Sequence, residues 1–217
     1  MSKGIKIVIL FIALVLIFNK KIVSYFILYG ISEWTNRTIV LDKIQINYSQ
    51  SLITIHDLKV KNSKGFDYDN IFESKKISLT YNPNSLFSNL IIINNLIIEN
   101  SNFFLELIEQ SPTSYNDNIG IAKKNIENMP DKIWPEKKRD INFLILKTRL
   151  SGTKTFIKTS SVSDATEIKL SNMYFNKVGN EKNYQHYKDV LKLILFDIIA
   201  RTSNLELKNL LKKIYDY

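Results

Sequence analysis

Residue types able to carry out chemistry are sparse in this chain. It has two histidines, His56 and His186, and no cysteine. A disulfide framework, a thiolate metal site, a cysteine nucleophile and a multi-histidine centre are therefore excluded. His56 stands beside Asp57, but neighbours on a strand point to opposite faces, so the two form no dyad. A catalytic reading would also need a nucleophile and an oxyanion site, and neither follows from the sequence. His186 is expected as an exposed residue in the first turn of a helix. Glu106 with Glu109, and Asp67 with Asp69, are carboxylate pairs by spacing alone and are expected to be solvated. Asp67-x-Asp69 lacks the further ligands and the glycine of a calcium loop. Six glycines leave little room for a phosphate-cradling loop. No enzyme activity, metal site or cofactor is expected.

The elements that carry these residues begin with an apolar segment. Ile7, Val8, Ile9, Leu10, Phe11, Ile12, Ala13, Leu14, Val15, Leu16, Ile17 and Phe18 run without a polar residue between Lys3 and Lys6 on one side and Lys20 and Lys21 on the other. A spanning helix needs about 20 residues, and a shorter run is also the mark of a signal peptide. No small-residue cleavage site follows, and the apolar pattern resumes at Ile22. Residues 1–37 are therefore read as an uncleaved signal anchor, a transmembrane helix that continues into an interfacial helix. Equal lysine counts on both sides leave its orientation open. Of the 30 basic residues four flank this segment, so the remainder holds 26 against 21 acids, and the net charge of +9 divides into +4 at the anchor and +5 elsewhere. The basic clusters Lys123-Lys124 and Lys137-Lys138-Arg139 sit in a connector of a chain read as membrane-anchored, and are expected to be solvated or to face anionic lipid headgroups. Nucleic acid is not expected as a partner.

From Thr38 the hydrophobic period becomes two. Residues 38–110 read as a first β-meander, with Ile44, Ile46, Ile53, Ile55, Leu58, Val60, Ile77 and Leu79 alternating with polar neighbours. The parity of the alternation shifts across His56-Asp57, which predicts a bulge or bend there. Leu90–Ile93, Leu96–Ile98 and Phe103–Leu107 read as separate short strands, broken at Asn94-Asn95 and Asn100-Ser101-Asn102. Residues 111–139, with Pro112, Pro130 and Pro135, read as a connector. Residues 140–179 read as a second β segment, with strands at Ile141–Leu150, Lys154–Thr159 and Glu167–Met173. Residues 180–217 read as two helices. In the first, Val190, Leu191, Leu193, Ile194, Leu195, Phe196, Ile198 and Ile199 cover more of the circumference than one packing surface needs. The second spans about Leu205–Tyr215.

The order of elements resembles the AsmA family of bacterial envelope proteins, which is related to TamB and other β-groove proteins. The resemblance lies in Val40–Leu107. The strand pair Ile44–Tyr48 and Leu52–Ile55 leads into Leu58-Lys59-Val60-Lys61-Asn62 and Gly65-Phe66. Ile77-Ser78-Leu79, Tyr81-Asn82-Pro83-Asn84-Ser85-Leu86, Ile91–Ile93 and Leu96-Ile97-Ile98-Glu99 follow. The resemblance implies an α+β fold: an N-terminal transmembrane helix, a curved, mostly antiparallel groove-forming sheet and C-terminal amphipathic helices. It also implies a single-pass protein of the bacterial inner membrane with its body in the periplasm. The expected function is to handle or shield lipid, and so contribute to envelope lipid homeostasis or transport. The alternative is a non-catalytic scaffold or adaptor whose sheet face is self-packed and which recruits another envelope protein. The candidate phospholipid-facing set is Ile44, Ile46, Ile53, Ile55, Leu58, Val60, Ile77, Leu79, Ile91, Ile93, Leu96, Ile98, Phe143, Ile145 and Ile157.

Overall fold

The computed structural model describes Tyr25, Leu28, Tyr29, Ser32 and residues 37–111, 114–118, 142–160 and 162–215. The expected anchor lies outside these residues, and no helix among them is long and apolar enough to cross a membrane. The described strands are β1 (Ile39–Val40), β2 (Lys43–Asn47), β3 (Leu52–Lys61), β4 (Asn70–Tyr81), β5 (Leu90–Ser111) and β6 (Ser114–Asp117). They continue as β7 (Asn142–Ser151), β8 (Lys154–Thr159), β9 (Val162–Lys169), β10 (Met173–Gly179) and β11 (Gln185–His186). Helices α1 (Tyr187–Arg201) and α2 (Leu205–Tyr215) close the described chain. The expectation of a mixed α+β protein with a mostly antiparallel sheet and two C-terminal helices holds.

All eleven strands belong to one sheet, ordered β1-β3-β4-β5-β7-β10-β11, with β2 beside β3, β6 and β8 beside β5, and β9 beside β8. β5 is the spine. Its first half pairs antiparallel with β4 and parallel with β7, and its second half pairs parallel with β8 and antiparallel with β6. The two sequence segments 38–110 and 140–179 are thus joined through parallel pairing to one strand. Ser114–Asp117, placed by the sequence in a connector, is instead a strand: it takes over the ladder of β5 where β4 ends.

Three short strands were expected where β5 runs unbroken for 22 residues. Asn100 accounts for the difference. It adopts a left-handed φ of 50°, which asparagine tolerates better than most residues, so the strand bends without leaving its ladder. Asp57 in β3 (φ 49°) and Gly152 between β7 and β8 (φ 63°) stand in the same transverse line. The registers fix that line: His56 pairs Lys76 and Leu58 pairs Ser74, while Lys76 pairs Glu99 and Ser74 pairs Ser101. Gly152 is required here, because a Cβ would come 2.6 Å from Asn100 Oδ1. Beside it, the buried hydroxyls of Ser101 and Thr153 are hydrogen-bonded at 2.9 Å. A second irregular line passes through the register shift at Thr80/Tyr81, the unpaired Asn94 and Lys177 (φ 53°). The bend predicted at His56-Asp57 is therefore one station of a crease across the sheet. The strand expected at Glu167–Met173 is likewise divided, with β9 ending at Lys169 and β10 starting at Met173.

Helix α1 starts at His186, which is its N-cap rather than an exposed first-turn residue: half-buried, it accepts a hydrogen bond from Lys188 N (3.3 Å) through Nδ1. Asp197 fastens α1 to the β9–β10 bend by accepting from Ser171 N and Ser171 Oγ, both at 2.9 Å. On α2, Leu207, Leu211 and Tyr215 recur every four residues and are buried. With Leu195, Ile198 and Ile199 of α1 they cover Leu105, Leu107, Ile157, Ile168 and Leu170 of the sheet. The outward surplus expected on α1 is present: Leu193 is 46% and Phe196 58% exposed.

Candidate functional site

The sheet's inner face carries the expected apolar set. Between the two irregular lines, one row across the sheet reads Ile44, Ile55, Ile77, Ile98, Leu150 and Met173. The next reads Ile46, Ile53, Leu79, Leu96, Thr148 and Phe175. Beyond the Asn100 crease the inner rows continue as Leu58, Ser74 and Ser101, then Val60, Phe72, Phe103, Thr155 and Ile168. The crease residue turns the alternation over, so that Ile55 packs with Leu58 and Val60 in one cluster although their parities differ. Beyond the Asn94 line, Phe143 and Ile145 join Met173, Phe175 and Val178 in the same way, and Ile91 and Ile93 are their ladder partners on β5. None of these inner rows contains a charged residue.

The cover over this face is uneven. Phe143 and Ile145 lie under Tyr187, Val190, Leu191 and Ile194 of α1. Ile157 is 1% exposed beneath α1 and α2 and belongs to the core. Between α1 and the sheet remains a cavity of about 70 Å³ lined by Phe103, Leu105, Thr155, Leu191, Ile194, Leu195 and Ile198. An apolar cavity of about 150 Å³ holds one benzene ring, so this space takes a few methylene-sized groups while α1 is in place. The rows Ile44, Ile46, Ile53, Ile55, Ile77, Leu79, Leu96 and Ile98 share no core cluster with either helix among the described residues. Ile46 and Ile55 are buried, and the other six are half-buried. Leu58 and Val60, 4% and 6% exposed, share one cluster with Ile55, Ile44, Ile53 and Ile77 of these rows and with Ile39, Leu41 and Phe72.

On the outer face of the distal sheet the structure assembles a cluster that the sequence did not indicate. Glu106, expected to be solvated, is 5% exposed. Its Oε1 and Oε2 accept from Asp67 N at 3.0 and 2.8 Å, and Oε2 also accepts from Tyr68 N at 3.2 Å. Its own backbone N–H donates to Asn118 Oδ1 at 2.8 Å, and Asn118 Nδ2 donates to Phe104 O at 2.8 Å. Arg37 Nη2 donates to Asn118 O at 3.0 Å and Nη1 donates to Ser63 Oγ. Tyr68 packs on Phe104 (5.1 Å) and Phe104 on Phe156 (5.4 Å). Burial pushes the Tyr68 phenol above its ordinary value; Lys158 opposes that and Glu106 adds to it. Lys158, the ladder partner of Glu106, is held protonated chiefly by its hydrogen bond to Asp67. Backbone donors occupy both oxygens of Glu106, so this cluster clamps the 62–69 loop to β5. Alternation alone places Glu106 opposite Leu105 and Leu107, and no local signal reports the loop that buries it. His56, by contrast, has its ring hydrogen-bonded to Gln45 Oε1 at 3.3 Å on the outer surface. Among the described residues, no group of three or more His, Cys, Asp or Glu is placed to hold a metal ion.

Fold and site together define an α+β protein whose bent sheet has an uncharged inner face partly roofed by its own C-terminal helices. Comparison of the chain with protein families, with curated proteins and with solved structures finds no match.

Proposed function

We propose that the chain is a membrane-anchored envelope protein of the AsmA type, residing in the bacterial inner membrane with its body in the periplasm. On this reading it handles or shields phospholipid acyl chains on the inner sheet face, without catalysing a reaction. The observation that carries the proposal is the pair of uncharged aliphatic rows on β2–β5, from Ile44 to Ile98 and from Ile46 to Leu96, which no described helix covers. Each methylene transferred from water to such a surface contributes about 0.8 kcal/mol, so two acyl chains are held by apolar contact alone. The pattern resemblance in Val40–Leu107 and the apolar run at residues 7–18 support the same reading.

The second reading is a scaffold with a self-packed face, favoured by the burial of Phe143, Ile145 and Ile157 under α1 and α2. The two differ in whether the protein carries lipid. Native mass spectrometry and lipid extraction on the purified chain test this, alongside an Ile53→Ser, Leu79→Ser variant checked for fold by circular dichroism. Phospholipid on the parent, reduced in the folded variant, is the expected result. A parent that carries none transfers the function to the scaffold.

A further inference from the structure

The outer face of the sheet differs from the inner in charge as well as in hydropathy. Its acids are engaged. Glu99 meets Lys76 at 3.5 Å, Glu167 meets Lys154 at 2.8 Å, and Glu73 accepts from Asn70 Nδ2 at 2.6 Å and faces Lys59 across the ladder. On β7, Lys147 and Arg149 project from this face and have no carboxylate as a ladder partner; Glu99, diagonal to Arg149, is held by Lys76. Their ladder partners are Asn95 and Ile97 on β5, and Asn176 and Tyr174 on β10. Lys147 and Arg149 are both exposed, and among the described residues neither makes an ion pair. Tyr174 beside them is 65% exposed, and neighbouring Leu146 is 36% exposed.

A cation pair set among a bare tyrosine and a leucine is the composition of a membrane interface, where amphipathic rings lie at headgroup level and Lys and Arg meet phosphates. A nucleic-acid surface would need successive aromatic platforms along a basic track, and Tyr174 is the one exposed ring in this patch. We propose that the Lys147–Arg149–Tyr174 patch seats the sheet's outer face on an anionic lipid surface. The two cations meet headgroup phosphates and Tyr174 lies at the headgroup boundary. The proposal is independent of what the inner face carries.

The absence of cysteine makes a single-cysteine probe unambiguous. Asn176→Cys, exposed next to Lys147, is labelled with an environment-sensitive fluorophore in the full chain and reconstituted into vesicles. One vesicle set is phosphatidylcholine alone and the other adds phosphatidylglycerol. Asn209→Cys, exposed on α2, is the reference position. The expected result is a blue shift at Asn176→Cys, but not at Asn209→Cys, in anionic vesicles only. High salt should reverse it, and Lys147→Glu with Arg149→Glu should abolish it. Neutralising one cation, as in Lys147→Gln or Arg149→Gln, should lower the docked-to-free ratio about fivefold. These milder variants keep the test valid if charge reversal impairs folding. Identical spectra in both vesicle sets, or a shift that survives loss of both charges, would overturn the proposal. So would a stronger response of the same probe to single-stranded DNA than to anionic vesicles.

Discussion

Among the described residues, Glu106 is the one carboxylate buried below one-tenth exposure, and replacing it by alanine removes an acceptor shared by two successive backbone amides. The amides of Asp67 and Tyr68 lose their acceptor, and the cavity left by the side chain lies against the Tyr68–Phe104 contact. Hydrogen bonds to a charged group contribute about 1.5–3 kcal/mol each, and a buried donor left without an acceptor costs about 1–3 kcal/mol. The three contacts share two donors, so the expected loss for Glu106→Ala is about 3–4 kcal/mol. Glu106→Gln keeps an acceptor of nearly the same shape but loses the charge, and should cost about 1.5–3 kcal/mol. Glu109→Ala, three positions along the same strand but exposed, should stay within about 0.5 kcal/mol. Urea unfolding of the three variants gives the free energies. Amide hydrogen exchange gives the location: Asp67 and Tyr68 should lose protection in Glu106→Ala while Leu105 and Leu107 keep theirs. Equal destabilisation by Glu106→Ala and Glu109→Ala, or unchanged exchange at the loop, would refute the clamp.

Gly152→Ala should destabilise by about 1–3 kcal/mol, since it forces a side chain into a left-handed conformation against Asn100 Oδ1, and Asn100→Gly should recover part of the loss in thermal unfolding. Leu79→Asp places a charge in an inner row and should cost more than about 1 kcal/mol, whereas Ser78→Asp, between Thr54 and Ile97 on the outer face, should be tolerated within about 0.5 kcal/mol; equal effects in chemical denaturation would mean the faces are misassigned. Tyr215→Phe removes a fully buried hydroxyl that has no hydrogen-bond partner, so stability at neutral pH should be unchanged or higher. Burial, reinforced by Asp117, raises the Tyr215 phenol well above its usual value near 10, so the folded form keeps a proton that the unfolded form releases. Stability is thus full below the unfolded value and falls as pH rises beyond it, and Tyr215→Phe should move alkaline unfolding to higher pH.

Local pattern was enough to reveal most elements of this protein. The period of two over 43–47, 52–61 and 77–81 gives half-buried strands, and the helical pattern within 180–217 gives two helices, the second with its observed bounds, Leu205–Tyr215. These signals are local because the two faces of one element meet different surroundings. The parity shift at Asp57 was legible for the same reason. Continuity of β5 was not, since a polar Asn-Ser-Asn triplet ends a strand in most settings. It holds here because β4, β7 and β8 supply ladder partners on both sides of Asn100. Nor could the sequence show that β7 pairs parallel with a strand fifty residues earlier, or that residues 114–117 rejoin β5. Glu106 shows why. Alternation assigns it to a face, but whether that face meets water depends on the 62–69 loop, about forty residues away in the chain. The set from Ile44 to Ile157 was likewise legible as apolar, while the division between the part that α1 and α2 roof and the part they leave uncovered follows only from where these two helices dock.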